Sequence, residues 1–204
     1  ASPSEYQRTG GIGLPEVSEP EVMRHYVDLS VKNHHVDKDL FPLGSCTMKY
    51  NPKVNDEVAA MQGFAGIHPE QSDADVQGAL RVMHGLERVL GIISGMDAVS
   101  VQPAAGAQGE MLGLLLARAY FADRGMSRHR VLVPDSAHGT NPATATLTGF
   151  TTQTFASGKD GRVDLDVLKG VLDDDVAVLM LTVPNTLGLF ESKIGEIVEM
   201  VHKA

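Results

Sequence analysis

Residues 130–144 read RVLVPDSAHGTNPAT. Val131 to Val133 form a short apolar run of the kind a strand makes, and Pro134 ends it. The next ten residues, Asp135 to Thr144, crowd Ser136, His138, Thr140 and Asn141 into one loop. A strand that feeds such a loop has the form of a ligand-binding turn in an α/β protein.

Upstream, Ala98 to Val101 reads as a second strand, running into QPAAGAQGE at Gln102 to Glu110 and then a helix from about Ala107 to Ala122. Ala105, Gly106 and Ala107 have no bulk to keep an anion from the N–H groups of that helix start, where the dipole favours negative charge. A plain tight turn explains the same residues equally well. Neither GxGxxG after a strand nor GxxxxGK[ST] is present.

Downstream, a short helix is predicted around Pro142 to Leu147, a strand over Thr151 to Phe155, and a helix capped by Asp164 that runs to about Leu172. VAVLML, Val176 to Leu181, reads as an internal strand buried on both faces, as in a parallel sheet. Nearer the N-terminus, Ser18 is the expected N-cap of a helix with Val22, Tyr26 and Leu29 on one face, ending near His35. Ser72 and Asp75 form a capping pattern ahead of Val76, Leu80, Met83, Leu86, Leu90 and Ile93 at helical spacing. Strands separated by helices predict a doubly wound α/β sheet over residues 72–204, preceded by an N-terminal arm and helix over residues 1–71. The loops Gln102 to Glu110, Asp135 to Asn141 and Thr182 to Gly188 then share the carboxyl end of the sheet.

The chain has 204 residues, 43% of them hydrophobic, and a formal charge of −9. With Lys and Arg scattered, it offers no basic face for displacing phosphate counterions, so nucleic acid is not an expected partner. The longest apolar stretch, Met111 to Ala117, is far short of the roughly 20 residues that span a bilayer, so no membrane partner is expected either. The N-terminus lacks a secretory pattern, and the single Cys46 has no internal partner, which predicts a reducing, cytoplasmic setting.

His138 can stack on a planar ring, accept a proton or satisfy neighbouring backbone; its company in the loop favours a ligand role. His34 and His35 read as a solvated pair near a helix end. There is no HExxH, no paired-Cys spacing and no GxSxG, so neither a metal centre nor a hydrolase elbow is expected. Phe41 to Pro52, FPLGSCTMKYNP, places Gly44, Ser45, Cys46 and Thr47 in an irregular stretch between prolines. Cys46 reads either as a reactive thiol or as a small buried residue.

LPEVSEPEVMRHY, PLGSCTMKYNP, GFAGIHPEQ, VQPAAGAQGE, VPDSAHGTNPATA and VPNTLGLFE follow one another in this order. Together they resemble the glycine decarboxylase family, the P-proteins of the glycine cleavage system, and in particular the second subunit of its two-chain bacterial and archaeal form, from about Leu14 to Ala204. The resemblance implies an α/β fold of fold-type I, the large domain of the pyridoxal 5′-phosphate (PLP) enzymes related to aspartate aminotransferase, here truncated and with an N-terminal helical arm. It implies that Ala105, Gly106, Ala107 and Gln108 hold the cofactor phosphate and that His138 stacks on the pyridine ring as the catalytic residue of this stretch. Thr182 and Asn185 would approach the ring edge, and Ser45, Cys46 and Thr47 would line the substrate side.

The implied reaction is decarboxylation of glycine, with the aminomethyl group passed to the lipoyl arm of the H-protein. The implied partners are P-protein subunit 1, in a heterotetramer, and the lipoylated H-protein. Where many relatives read TNPNTLG this chain reads TVPNTLG, with Val183 in place of an amide. The lysine and the acidic residue that the family uses on the cofactor are expected beyond Ala204, so the resemblance marks the chain as an N-terminal fragment, inactive alone. Two other readings remain: a non-catalytic assembly subunit of the same complex, and another fold-type I lyase or transferase, against which the GSCTMKYNP arm argues.

Overall fold

The computed structural model describes residues 6–39 and 50–204. The chain divides into two compact units, Ala1–Gln71 and Ser72–Ala204. In the first, helix α1 (Glu19–Ser30) begins where the sequence places it: the Ser18 backbone N–H and hydroxyl both donate to the Glu21 carboxylate, at 2.8 and 2.6 Å. It ends at Ser30, not near His35. Lys32 and Asn33 close onto carbonyls three residues back, a tightened turn, and Asn33 falls where the stripe of Val22, Tyr26 and Leu29 needs its next apolar residue. Two short helices follow, α2 (Lys53–Ala59) and α3 (Gln62–Ala65). None of the three buries a residue. Lys53 ties back to Asp37 at 2.8 Å, and that hydrogen bond holds the Asp37 carboxyl below the ordinary carboxylate range.

In the second unit the Ser72 to Asp75 pattern does not start the long helix. Ser72 donates its hydroxyl to the Asp75 carboxylate at 2.8 Å and opens a separate 3₁₀ turn, Asp73–Asp75, and helix α4 runs over Gln77–Ser94 behind it. Gly95, with φ of 69°, ends α4 in the left-handed conformation that favours glycine. Ala98 to Val101 is not a strand. No neighbouring strand pairs with it; the Val101 N–H turns to a side chain of α4, Glu87 Oε1, at 3.4 Å.

Helix α5 (Gly106–Asp123) leads into β1 (Arg130–Pro134), α6 (Thr140–Leu147), β2 (Thr151–Phe155), α7 (Leu165–Val171), β3 (Val176–Leu179) and α8 (Ile194–Lys203). The sheet order is β2-β1-β3, all parallel, with Arg130 level with both Thr151 and Val176. β1 is therefore the central strand of the three, and β3, expected to be internal, pairs with β1 alone among the described residues. β1 is buried because alternate residues face opposite layers. Val131 and Val133 pack with Leu114 of α5, Ala145 of α6 and Phe150. Leu132 packs the other way, with Leu168 of α7, Ile197 of α8, Phe155, Val163 and Val176. β3 also serves both layers: Ala177 and Val178 line the first, Leu179 the second. Helices on both faces of a parallel sheet are the predicted doubly wound arrangement.

Each helix is set locally. Asp164 caps α7, its carboxylate accepting the N–H groups of Asp166 and Val167 at 2.9 and 3.2 Å. Arg118 of α5 donates to the Thr148 carbonyl at the end of α6 at 2.7 Å, which locks the two helices of that layer together.

Candidate functional site

Parallel strands deliver their loops to one end, and there α5 and α6 both begin. Ala105 is the extended N-cap of α5. Its carbonyl accepts from the N–H of Gln108 at 3.0 Å and of Gly109 at 3.1 Å. The Gln108 side chain reaches back to accept the Ala104 N–H at 2.7 Å. Gln108 is thus a clamp on the turn, and its own N–H is already engaged. Among the described residues the N–H groups of Gly106 and Ala107 meet no acceptor, as expected of the first helical positions. A Cβ built on Gly106 would meet nothing within 4 Å, so the space over this helix start is open.

His138 is exposed in the loop after β1. The Thr140 N–H donates to its Nδ1 at 3.2 Å, and Thr140 Oγ1 lies 2.9 Å from the same nitrogen. A backbone N–H cannot turn away, so Nδ1 carries the lone pair and the proton of the neutral ring sits on Nε2. The Thr140 hydroxyl then donates to Glu110 Oε1 on α5 at 2.9 Å, and Thr144 donates to Glu110 Oε2 at 3.3 Å. Glu110 stands one turn beyond Gly106, on the same side of the helix. One carboxylate thereby joins the loop that carries His138 to the helix whose first N–H groups are free.

Asn141, in the first turn of α6, is only 6% exposed, and its Oδ1 has no hydrogen-bond partner. Such an atom costs free energy unless a ligand or water satisfies it. Asp135 closes the loop on its far side, accepting from the Ser157 N–H at 3.0 Å and from the Ser157 hydroxyl.

The third expected loop is built differently. Asn185 spends its side chain on shaping: Oδ1 accepts from the N–H groups of Leu187 and Leu189 at 3.0 and 3.1 Å, and Nδ2 donates to the Gly161 carbonyl at 2.8 Å. Thr182 and Val183 are exposed, and the Val183–Pro184 peptide is cis. Among the described residues no hydrogen bond joins this loop to His138 or to the start of α5. Ser45, Cys46 and Thr47 lie outside the described residues. Among those described, no cluster of His, Cys, Asp and Glu has the makings of a metal site, and no helix is long and apolar enough to cross a membrane.

The sequence analysis gave Glu110 no part in the site. Its signal was a carboxylate at i+4 from Gly106, with two hydroxyls at i and i+4, Thr140 and Thr144, on a helix whose partner the sequence does not name.

No family model matches the chain. It is 57% identical over 203 residues to a protein of Halalkalibacterium halodurans called a probable glycine dehydrogenase (decarboxylating) subunit 2, covering 99% of this chain and 42% of that one. A protein of the same name from Chlorobium chlorochromatii is 56% identical over 98% of this chain and 42% of its own length. Three solved structures share the fold. A glycine decarboxylase (P-protein) of the glycine cleavage system in an inhibitor-bound form superposes with a TM-score of 0.70 at 24% identity, over 99% of this chain and 44% of that one. A sphingosine-1-phosphate lyase of Burkholderia pseudomallei gives 0.54 at 18% identity, over 98% and 48%. A NifS-like protein gives 0.57 at 16%, over 75% and 42%. The architecture is that of the fold-type I PLP-dependent enzymes. Matched over nearly its whole length at 56–57% identity, the chain spans about two fifths of the length of these curated relatives, and over that span it is similar to glycine dehydrogenase (decarboxylating) subunit 2.

Proposed function

We propose that this chain carries the phosphate-holding and ring-covering part of a PLP site, in a subunit that decarboxylates glycine. The observation that supports it most is the Glu110 tie, which joins the helix that begins at Gly106 to the loop that carries His138, at the carboxyl end of a parallel sheet. The donor set fits the group. The N–H groups of Gly106 and Ala107 suit a phosphate at a helix N-terminus, the open space over Gly106 admits it, and the orphaned Asn141 Oδ1 offers an acceptor to a ligand donor. His138, with Nδ1 turned toward Thr140, is free to lay its ring face against a planar heterocycle.

Bound there, PLP supplies the conjugated electron sink that disperses the carbanion left when glycine loses carbon dioxide. The chain's own residues act around that sink. Ala105 and Gln108 fix the turn that presents the phosphate donors, and His138 covers one ring face and excludes water from it. Asn185 holds the 182–188 loop in shape, and Thr182 of that loop would approach the ring edge if the cofactor were bound. Ser45, Cys46 and Thr47 belong to the substrate side of this reading. The partners of this reading are those the sequence resemblance implies, a first P-protein subunit in a heterotetramer and a lipoylated H-protein that takes the aminomethyl group, in the cytoplasm; the relatives' names support only that there is more than one subunit.

The test uses a ligand that cannot label lysines, because the PLP aldehyde reacts with any exposed amine. The chain is titrated with 4-deoxypyridoxine 5′-phosphate and with its dephosphorylated form. The phosphorylated ligand is expected to bind and the other to bind far more weakly; His138→Ala is expected to weaken binding about tenfold, the worth of one stacked ring. Equal binding of both ligands, or affinity untouched by the substitution, overturns the assignment.

A further inference from the structure

We infer that Glu110 is a positioning residue for His138, acting through the Thr140 hydroxyl. The argument begins with one proton and two claimants. Thr140 Oγ1 lies 2.9 Å from Glu110 Oε1 and 2.9 Å from His138 Nδ1, and it has a single hydrogen to give. A carboxylate is the stronger acceptor, so the hydroxyl turns to Glu110. His138 Nδ1 is then left to the Thr140 backbone N–H alone, at 3.2 Å. The imidazole is held by a group that cannot rotate, while the hydroxyl, whose oxygen stays 2.9 Å from Nδ1, gives its hydrogen to the carboxylate.

The second oxygen of Glu110 reinforces this. Thr144 Oγ1 approaches Oε2 at 3.3 Å while also lying 2.8 Å from the Thr140 carbonyl and 3.1 Å from that of Asn141. The first turn of α6 is thereby fastened to α5 through the Thr140 hydroxyl, with Thr144, whose proton the Thr140 carbonyl takes at the shorter distance, in looser contact with Oε2. Because α6 starts only two residues after His138, fixing that turn fixes the ring. Without Glu110, the Thr140 hydroxyl swings to Nδ1, the ring takes a second and movable donor, and the link from the His138 loop to α5 is lost. That this orientation serves a bound cofactor rests on the function proposed above; the orientation itself does not.

The experiment observes the His138 ring nitrogens by ¹⁵N NMR in the whole chain and, separately, the affinity for 4-deoxypyridoxine 5′-phosphate. Glu110→Ala is expected to move the Nδ1 resonance in the direction of a stronger accepted hydrogen bond. Glu110→Gln, which keeps an oxygen for Thr140, should stay near the wild-type position. In a Thr140→Val background Glu110→Ala should shift nothing further, because the messenger is gone, while Thr140→Ser should preserve the full response. Ligand affinity should fall about fivefold on Glu110→Ala, the worth of one hydrogen bond, and not at all when Thr140 is already Val. A merely structural Glu110 would give additive losses in both backgrounds and no rescue by Gln. That result overturns the inference, as does an Nδ1 resonance indifferent to Glu110. Should Glu110→Ala unfold the chain, Glu110→Gln alone and combined with Thr140→Val decides the matter. Absence of ligand binding in the wild type would refute the cofactor reading and leave the ring signal to judge the positioning.

Discussion

The two ends of the parallel sheet are built on opposite rules. At the amino end, charged side chains are spent largely on one another, although the buried Arg128 Nε has no partner there. Arg130 donates to Asp175 at 3.0 Å and also to Asp173 and Gln153; His129 Nδ1 lies 2.8 Å from Asp175, and the N–H groups of His129 and Arg130 both reach the Asp175 carbonyl. At the carboxyl end, donors and acceptors are left over: the N–H groups at Gly106 and Ala107, the Asn141 Oδ1, and a His138 ring tied at one edge. The same strands make both ends; the difference lies in the helix start at Gly106 and in the side chains, and leftover hydrogen-bonding capacity beside a buried sheet is what a ligand site requires.

The largest test of that contrast spares both ends. Leu132 is fully buried in the middle of β1, so Leu132→Ala should cost about 2–5 kcal/mol of stability. Urea unfolding would measure it, and a loss well below 1 kcal/mol would mean that β1 is not the centre of the core. Next is Gly161→Ala. Gly161 has φ of 76°, and an added Cβ would sit 2.9 Å from Leu187 Cδ1, so the variant should lose about 1–2 kcal/mol and loosen the 182–188 loop. Because no hydrogen bond links that loop to His138, the His138 ring signals should stay in place; their movement would show that the three loops are one unit.

The smallest effect belongs to the amino end. The His129 ring, and after it Arg130, holds the Asp175 carboxyl below the ordinary range; for Asp173 the leading cause is the Asp175 backbone N–H, followed by Arg130. A carboxyl depressed in the folded state binds fewer protons than in the unfolded chain. Its stabilisation is therefore present above about pH 4 and lost as pH falls below that. Arg130→Met should flatten this acid limb, seen as a smaller change in urea midpoint between about pH 5 and about pH 3. Both groups are solvent-accessible and screened, so the change should be modest, and ligand affinity at neutral pH should not follow it. An acid limb as steep as the wild type would show that Arg130 contributes nothing to it, leaving His129 and the Asp175 backbone N–H as the causes.

Sequence alone made legible the elements that carry their own instructions. β1 is a buried apolar run stopped by proline, and Asp164 announces α7 because a capping carboxylate acts within three residues. Elements whose form is decided by partners were misread. Ala98 to Val101 has a strand's composition but no strand beside it, and Ser72 with Asp75 caps a turn of its own. The site divides the same way. His138 and the small residues at 105–107 are recognisable because they sit in loops at strand and helix ends. The Glu110 link to Thr140 spans thirty residues and arises only when α5 packs against α6. Asn185 spends its Oδ1 on the N–H groups of Leu187 and Leu189 and its Nδ2 on the Gly161 carbonyl, bonds that no spacing rule reveals.

The central claim is that the carboxyl end of this sheet, and not the amino end, holds a phosphorylated pyridine. The most direct measurement is the ¹⁵N amide and histidine-ring spectrum of the chain during titration with 4-deoxypyridoxine 5′-phosphate. The account predicts saturable shifts at Gly106, Ala107, His138 and Asn141, with Arg130, Asp173 and Asp175 unmoved. Shifts centred on His129, Arg130 and Asp175, or none at saturating ligand, would contradict it.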